Sequence, residues 1–144
     1  MARRRVGALD ELLESWARWC DSPSVAVSYG GSGGSMLARL IDTRGELRFG
    51  GSGHASGPVD TIETNIEMAV VSLYAESPLA ADVLRFECVA GWWQVTARRA
   101  IRGYDPRGLG QLENALALGI SVRTYRRRLA EAREHVAQRL RVKA

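Results

Sequence analysis

The sequence has few of the residues that build metal sites or disulfide frameworks. Its 144 residues include two cysteines, Cys20 and Cys88, and two histidines, His54 and His135. Neither cysteine belongs to a CxxC pair, and no two of these four residues have the short separation that zinc ligands use. We therefore expect no disulfide, no metal and no cofactor. The low cysteine content is typical of a chain that stays in a reducing cytosol.

Long apolar runs are also missing. No stretch approaches the roughly 20 consecutive apolar residues that cross a bilayer. The start, MARRRVGALDELLES, has the arginines of a targeting peptide, but it has no apolar run and soon becomes acidic. We therefore expect an intracellular protein with no membrane partner.

Lysine is almost missing, because 19 of the 20 cationic residues are arginine. The net charge of +4 is unevenly divided: residues 92–144 hold twelve cationic and four acidic residues, whereas residues 1–91 hold eight and twelve. The planar guanidinium group matches phosphates and guanine edges, although an excess of arginine can also come from a GC-rich coding sequence. The basic end suits a nucleic acid, and the acidic end is better suited to a protein partner.

Motifs for phosphate binding and catalysis are missing as well. Residues 21–59 contain nine of the fifteen glycines, yet they have neither the GK[ST] end of a P-loop nor the strand–GxGxxG–helix frame of a dinucleotide site. An enzyme that acts on DNA, such as a recombinase, needs a serine, a tyrosine or an acidic cluster in a pocket, and no such cluster emerges. We predict a protein that is not an enzyme, with a flexible Gly/Ser-rich segment at 21–59 that holds one short helix or hairpin at 36–49.

The rest of the chain has helical periodicity. Apolar residues predict a first amphipathic helix over 8–20, which the sequence DSPS ends. Asp60 as N-cap, with Glu63 in a capping box, predicts a second helix to about residue 74. Ser77 as N-cap predicts a third helix from 78 toward 89 with Gly91 as its terminator, and a fourth helix extends to about Arg102 before a turn-rich loop.

The pattern at the carboxyl end is typical of a helix-turn-helix. Ala115 lies in the first helix, Gly119 at the turn and Ser121 at the N-cap of the second helix. In the second helix, one apolar face is formed by Tyr125, Leu129, Ala132, Val136 and Leu140. The prediction is an all-α fold with four segments: an N-terminal helix (1–20), the Gly-rich insertion (21–59), a helical body (60–103) and a helix-turn-helix module (104–144).

The residues outside this apolar face are the candidates for DNA contact. A recognition helix places its first turns in the major groove, which predicts base contacts by Val122, Arg123, Arg126 and Arg127. The predicted contacts to the DNA backbone are Ser121, Thr124, Arg128, Arg98, Arg99 and Arg107. Asn114 is expected at the outer start of the first helix and His135 on the surface. The alternative is that the charged face is simply solvated.

Residues 119–140, GISVRTYRRRLAEAREHVAQRL, resemble the helix-turn-helix of region 4 of bacterial sigma factors. Four segments follow one another along the chain: ELLESWARWC, a Gly-rich stretch with MLARLI, the helical stretch VDTIETNIEMAVVSLYAESPLAADVLRFECVAGWW, and LALGISVRTYRRRLAEAREHV. This order is similar to that of lambdoid-phage Q-type antitermination proteins. The likeness spans most of the chain, and its specific part is the carboxyl third.

The resemblance implies a phage late-gene transcription antitermination factor. Such a protein binds double-stranded DNA near a promoter, loads onto paused RNA polymerase holoenzyme with its sigma factor, and narrows the RNA exit channel so that terminator hairpins cannot form. Nascent RNA and a second copy on tandem sites are further implied partners, and the place of action is the cytoplasm of the bacterial host. Trp16 and Trp19 are candidate anchors on polymerase, because aromatic residues dominate interface hot spots; filling of the core is the other interpretation.

Two departures from that family pattern matter. Some relatives carry a cysteine-rich patch where this chain has glycine and serine, so no zinc is carried over. The stretch WWQVTARRAIRGYDPRG looks like an enlargement relative to shorter members, and its arginines can touch DNA, polymerase or RNA. The alternative function is a conventional helix-turn-helix repressor or activator that binds a palindromic operator as a dimer.

Overall fold

The computed structural model of the protein describes residues 7–22 and 61–144. These residues form six α-helices and no strand, which confirms the all-α prediction. The helices are α1 (Ala8–Cys20), α2 (Ile62–Glu76), α3 (Pro78–Cys88), α4 (Trp92–Arg99), α5 (Gln111–Leu118) and α6 (Val122–Leu140). The predicted Gly-rich insertion, apart from its first two residues, and the basic residues before Gly7 lie outside the described residues. Within the described ranges, no helix is long and apolar enough to cross a membrane.

Helix α1 begins and ends where its periodicity predicts. Its buried residues are Leu9, Leu13, Trp16 and Cys20, which recur every three or four positions and therefore share one face. At the amino end, the backbone N–H of Gly7 donates a hydrogen bond to a carboxylate oxygen of Asp10 at 3.2 Å. This contact satisfies one of the donors that a helix start leaves unpaired.

Helix α2 begins one residue later than predicted. Its N-cap is Thr61, whose backbone is extended and whose hydroxyl accepts a hydrogen bond from the backbone N–H of Thr64 at 3.2 Å. The prediction of Asp60 as the N-cap is therefore wrong, because the hydroxyl of Thr61 makes the capping hydrogen bond. The carboxylate of Glu63 accepts a hydrogen bond from the hydroxyl of Ser15 in α1, and its predicted partner Asp60 lies outside the described residues.

Helix α3 begins where predicted, with Ser77 at the N-cap position and Pro78 after it. Pro78 occupies the first helical position, as expected for a residue that has no N–H to donate. Ser77 precedes it, but its side chain makes no capping hydrogen bond. Its backbone N–H instead donates to the carbonyl oxygen of Leu73 at 2.7 Å, and this contact closes the end of α2.

The predicted ends of α3 and α4 are wrong in detail. Helix α3 stops because Val89 takes a left-handed conformation with φ 55°, and Gly91, the predicted terminator, is instead the N-cap of α4. Helix α4 ends at Arg99 rather than near Arg102, since Ala100 is also left-handed with φ 55°. Left-handed non-glycine residues are uncommon, so a sequence pattern does not reveal them.

Two buried clusters hold the helices together, and α6 belongs to both. The first cluster joins α1, α2 and α3 to the second half of α6, where Ala132 and Val136 are fully buried. The second joins α3 and α4 to α5 and the first half of α6 through Val83, Phe86 and Tyr125. The predicted body and the helix-turn-helix module therefore share their cores.

A buried polar cluster crosses the first core. The indole N–H of Trp16 donates to Oε1 of Glu67 at 3.0 Å, and Nη2 of Arg85 lies 2.8 Å from Oε2 of the same carboxylate. Trp16 is completely buried, so the prediction that it contacts polymerase is wrong in this fold, and its role is to pack the core. Trp19 is half-buried at the edge of the same cluster, and its contact with polymerase stays a prediction.

Candidate nucleic-acid interface

The turn between α5 and α6 has the features that the sequence predicts. Gly119 ends α5 in a left-handed conformation with φ 73°, which glycine adopts at no steric cost. Ser121 is the N-cap of α6, and its hydroxyl accepts a hydrogen bond from the backbone N–H of Thr124 at 3.1 Å. Ala115 and Leu118 are buried beneath the turn. These contacts fix the direction in which α6 leaves α5.

Tyr125 holds the inner side of α6 through a network that sequence reasoning missed. Its hydroxyl donates to Oε1 of Glu87 in α3 at 2.9 Å and accepts a hydrogen bond from the side-chain amide of Asn114 in α5 at 3.0 Å. Asn114 also accepts a hydrogen bond from the Tyr104 hydroxyl at 2.5 Å. The expectation that Asn114 lies on the outside is therefore wrong, because it is buried as the polar link between helices.

Burial keeps the Tyr125 hydroxyl protonated. Desolvation is the larger cause and the nearby charge of Glu87 the smaller one, and both raise the pKa of Tyr125 above its usual range. The phenol therefore stays a hydrogen-bond donor at every pH at which the protein is expected to work. The joint between α3, α5 and α6 is held by a neutral hydroxyl and a carboxylate rather than by an ion pair.

The outer side of the first turns of α6 carries the predicted base-contact arginines. Arg123 and Arg127 are exposed and have no hydrogen-bond or ion-pair partner within the described residues. Arg126 is also exposed, but its Nε donates to Oε1 of Gln111 at 2.9 Å. Val122 is half-buried against the second cluster, which leaves only part of its side chain for a base. The structure thus brings three of the four predicted residues to one accessible surface.

The predicted backbone contacts near this surface differ in their surroundings. The hydroxyls of Ser121 and Thr124 lie 3.0 Å apart at the start of α6. Arg128 points to the flank, where its Nη1 contacts Glu131 one turn later at 2.9 Å. An ion pair of this kind is exposed to solvent and weak, so it leaves Arg128 able to exchange its partner for a phosphate.

The remaining predicted backbone contacts are already paired. Asp82 is buried, and its two oxygens accept hydrogen bonds from Arg98 at 3.0 Å and Arg99 at 2.6 Å. About a third of each arginine side chain stays accessible. Two cations on one carboxylate leave a net positive charge at the surface of α4. Contact of these two residues with the DNA backbone stays a prediction.

Arg107, the last of the predicted contacts to the DNA backbone, belongs to a local ion pair. Its guanidinium group lies 2.5 Å from the carboxylate of Asp105, and hydrogen bonds from Arg107 lower the pKa of Asp105. The pair lies in the loop before α5, and the arginine side chain is 67% exposed. The charge of Arg107 is therefore accessible but partly neutralised by its neighbour.

His135 is not the surface residue that the sequence analysis expects. Its side chain is largely buried between α6 and α2, where Nε2 lies 3.0 Å from the Ser72 hydroxyl. That hydroxyl also donates to the carbonyl oxygen of Ala69 at 2.8 Å, and the imidazole tautomer that carries its proton on Nε2 would then donate to the serine oxygen. An activated serine nucleophile needs the opposite arrangement, with the imidazole as acceptor. We interpret this contact as a packing interaction.

Two further surface features were not anticipated from sequence. The outer side of α5 and the residue two positions before it expose Leu109, Leu112 and Leu116, of which Leu116 is 69% accessible. An open cleft of about 850 Å³ also runs between α1, α3, α5 and α6, and Cys88 and Leu129 line it. Among the described residues, no group of three or more histidine, cysteine and acidic side chains is arranged to hold a metal ion.

The resemblance to sigma region 4 and to the Q-type proteins rests on the residues quoted from the sequence. The structure itself shows an all-α fold in the described residues, a left-handed turn at Gly119 and exposed arginines at the start of α6. Comparison of the chain with protein-family models, with curated proteins and with solved structures finds no match.

Proposed function

We propose that the protein is a phage late-gene transcription antitermination factor that acts in the bacterial cytoplasm. It binds DNA near a promoter, loads onto paused RNA polymerase with its sigma factor and narrows the RNA exit channel. The observation that carries the DNA-binding part is the accessible pair Arg123 and Arg127 in the first two turns of α6. Tyr125 lies between them in sequence and fixes the opposite side of the helix in the core.

Several physical properties support a DNA-binding α6. A helix of this width fits the major groove, and arginine is the side chain that most often recognises guanine there. The net positive charge of residues 92–144 favours the phosphate backbone, with an affinity that falls steeply as salt increases. Helix α6 is held in both buried clusters, so it presents its arginines from a rigid support.

The antitermination step rests on the order of sequence segments that resembles the Q-type family. The acidic amino-terminal part, with the half-buried Trp19, is the part that we assign to polymerase. An operator-binding repressor would use the same α6, but it would need two copies on a palindromic site. The two functions therefore differ in the symmetry of the DNA site and in the sign of the effect on transcription.

The deciding experiment is transcription in vitro by the host RNA polymerase through an intrinsic terminator. One template carries the upstream region of the adjacent late promoter, and a second carries a scrambled region of equal length. We expect read-through to increase only on the first template. An increase of equal size on both templates would contradict loading at a DNA site, and repression with a palindromic footprint would identify the repressor instead.

A matched pair of variants connects this assay to the structure. The double variant Arg123→Ala/Arg127→Ala should lose the site-dependent read-through. Arg139→Ala removes an exposed arginine from the last turn of the same helix and should retain it. Loss of activity in both variants would indicate a general effect of charge rather than a specific interface.

A further inference from the structure

We infer that Gln111 is a positioning residue, which orients Arg126 so that it reads a guanine through Nη1 and Nη2. The inference rests on the proposed DNA binding by α6. It goes beyond that proposal because it assigns a role to a residue of α5 and a base to a single arginine. Gln111 is the first residue of α5, and no sequence pattern singled it out.

The contacts of Gln111 fix the orientation of its amide. Its Oε1 accepts a hydrogen bond from Nε of Arg126 at 2.9 Å, and its Nε2 lies 3.4 Å from Oε2 of Glu87. The other oxygen of Glu87 accepts the Tyr125 hydroxyl at 2.9 Å. Reversal of the amide would place its NH₂ group against a guanidinium group and its carbonyl against a carboxylate, so both contacts favour one orientation.

These contacts form a chain that extends from the buried joint to the exposed arginine. A free arginine loses about 2 kcal/mol of rotamer entropy when a contact fixes it. Because Gln111 already holds Nε of Arg126, this side chain should lose less rotamer entropy when it binds DNA. Arg123 and Arg127 have no such partner within the described residues. The three arginines are therefore not equivalent, and Arg126 is the one prepared for a defined geometry.

The atom that Gln111 holds determines what Arg126 can recognise. With Nε engaged, the free edge of the guanidinium group is the one formed by Nη1 and Nη2. Two parallel donors match the O6 and N7 acceptors of guanine, whereas adenine places a donor at the same edge. A bidentate phosphate contact would use the same two donors, but phosphates are the same at every base pair, so only a guanine makes this contact depend on sequence. A fixed guanidinium group next to the second turn of α6 therefore points to a guanine at one base pair.

The experiment begins with selection of DNA sites from a random pool by the full chain. The preferred site is then varied to all four base pairs at each position. Arg126→Ala should remove the preference for guanine at one position. Gln111→Leu, which removes both hydrogen bonds, should lower the preference at that same position by about tenfold. Binding to unrelated DNA should change by less than about twofold, because Gln111 carries no charge.

Three comparisons distinguish positioning from a merely structural role. Gln111→Leu should have no further effect on base preference when Arg126 is already alanine. Gln138→Leu, which removes an exposed glutamine of α6 that contacts Glu134, should leave the preference unchanged. Gln111→Asn, whose shorter amide cannot reach both partners, should reproduce the loss if the leucine variant does not fold.

Two results would overturn the inference. If Arg126→Ala removes the guanine preference but both Gln111 variants keep it, Gln111 does not orient Arg126. If the Gln111 variants weaken binding to all sequences equally, Gln111 stabilises the fold rather than the base contact. A wild-type chain that selects no sequence at all would refute the proposed function and this inference together, so that failure is recognisable before any variant is made.

Discussion

Arg85 and Glu67 form an ion pair that is almost completely shielded from solvent. Nη2 of Arg85 lies 2.8 Å from Oε2 of Glu67, and their side chains are 4% and 0% exposed. Trp16 from α1 donates its indole N–H to the same carboxylate, at 3.0 Å. The Glu67 carboxylate of α2 thus connects α1 and α3. It lies within the apolar core against which the second half of α6 also packs.

The first prediction concerns this pair. Glu67→Gln should lower the free energy of unfolding by about 3 to 5 kcal/mol, because it removes the negative charge that lies 2.8 Å from the buried Arg85 guanidinium group. Urea unfolding followed by tryptophan fluorescence measures the change. The control is Asp105→Asn, which breaks an exposed ion pair and should have no measurable effect. Equal stability of Glu67→Gln and the wild type would mean that solvent reaches the pair.

The second prediction concerns Gly91, which lies beside the same guanidinium group. A Cβ atom added at this position would lie 2.8 Å from Nη1 of Arg85, and the backbone has φ +63°. Gly91→Ala should therefore destabilise the protein both through its backbone and by displacing Arg85 from Glu67. Gly119→Ala is the matched control, because its φ is +73° but no atom lies within 4 Å.

The two glycine variants should differ in thermal stability. Gly119→Ala should cost about 1 to 2 kcal/mol from the left-handed backbone alone, and Gly91→Ala should cost more than this. The comparison removes the backbone contribution, so the excess reports the contact with Arg85. Identical melting temperatures of the two variants would show that Arg85 moves aside freely.

How much of this architecture the sequence reveals depends on whether local chemistry determines it. The turn at Gly119 and the cap at Ser121 are predictable because each satisfies a local requirement of backbone conformation or hydrogen bonding. Helix α1 is predictable because its apolar residues alternate with the helical period. Such local signals place the exposed arginines of α6 correctly.

The contacts that stiffen the site could not be found in this way. The Tyr125 hydroxyl pairs with Glu87 and with Asn114, and Asn114 also pairs with Tyr104. These contacts join separate segments of the fold, so they depend on tertiary packing rather than on spacing in the chain. The burial of Trp16 could not be predicted either, because an aromatic residue on an amphipathic helix is equally consistent with a core position and a docking anchor. The only signal available was that Asn114 lies on the same side of its helix as Ala115 and Leu118, and this signal is weak.

The third prediction concerns the joint that supports α6. Tyr125→Phe should lower the free energy of unfolding by about 1 to 3 kcal/mol, because the buried amide of Asn114 loses its acceptor and Glu87 loses a donor. Chemical denaturation measures this change. Glu87→Gln keeps an oxygen that can accept from Tyr125 and should cost clearly less. A larger loss in Glu87→Gln would move the main stabilising contact away from the hydroxyl.

The fourth prediction concerns alkaline pH. Burial raises the pKa of the Cys88 thiol to about 12 and also raises the pKa values of Cys20 and Tyr125. Above about pH 9, the unfolded chain releases protons that the folded chain retains, so the free energy of unfolding falls as pH increases. Each group contributes up to about 1.4 kcal/mol per pH unit.

The variant Cys88→Ala tests this prediction through the pH dependence of the free energy of unfolding, rather than through its value at one pH. Between about pH 9.5 and 11, its free energy of unfolding should fall less steeply than that of the wild type, by up to about 1.4 kcal/mol per pH unit. Urea titrations at several pH values measure both slopes under reducing conditions. Parallel slopes would mean that the thiol ionises equally in the folded and unfolded chains.

The last prediction concerns the free arginines of α6. Arg123→Ala and Arg127→Ala should each weaken binding to the preferred DNA site by about 1 to 3 kcal/mol if they contact bases. Both should bind unrelated DNA nearly as well as the wild type does, apart from the loss of one charge.

If Arg123 and Arg127 contact only phosphates, affinity for all sequences should fall together and the salt dependence should become shallower by about one counterion. Fluorescence anisotropy at four salt concentrations, on the preferred and a scrambled site, separates the two outcomes. Because neither side chain has an intramolecular partner in the described part of the chain, their removal should leave the melting temperature unchanged, so a loss of binding reports the interface itself.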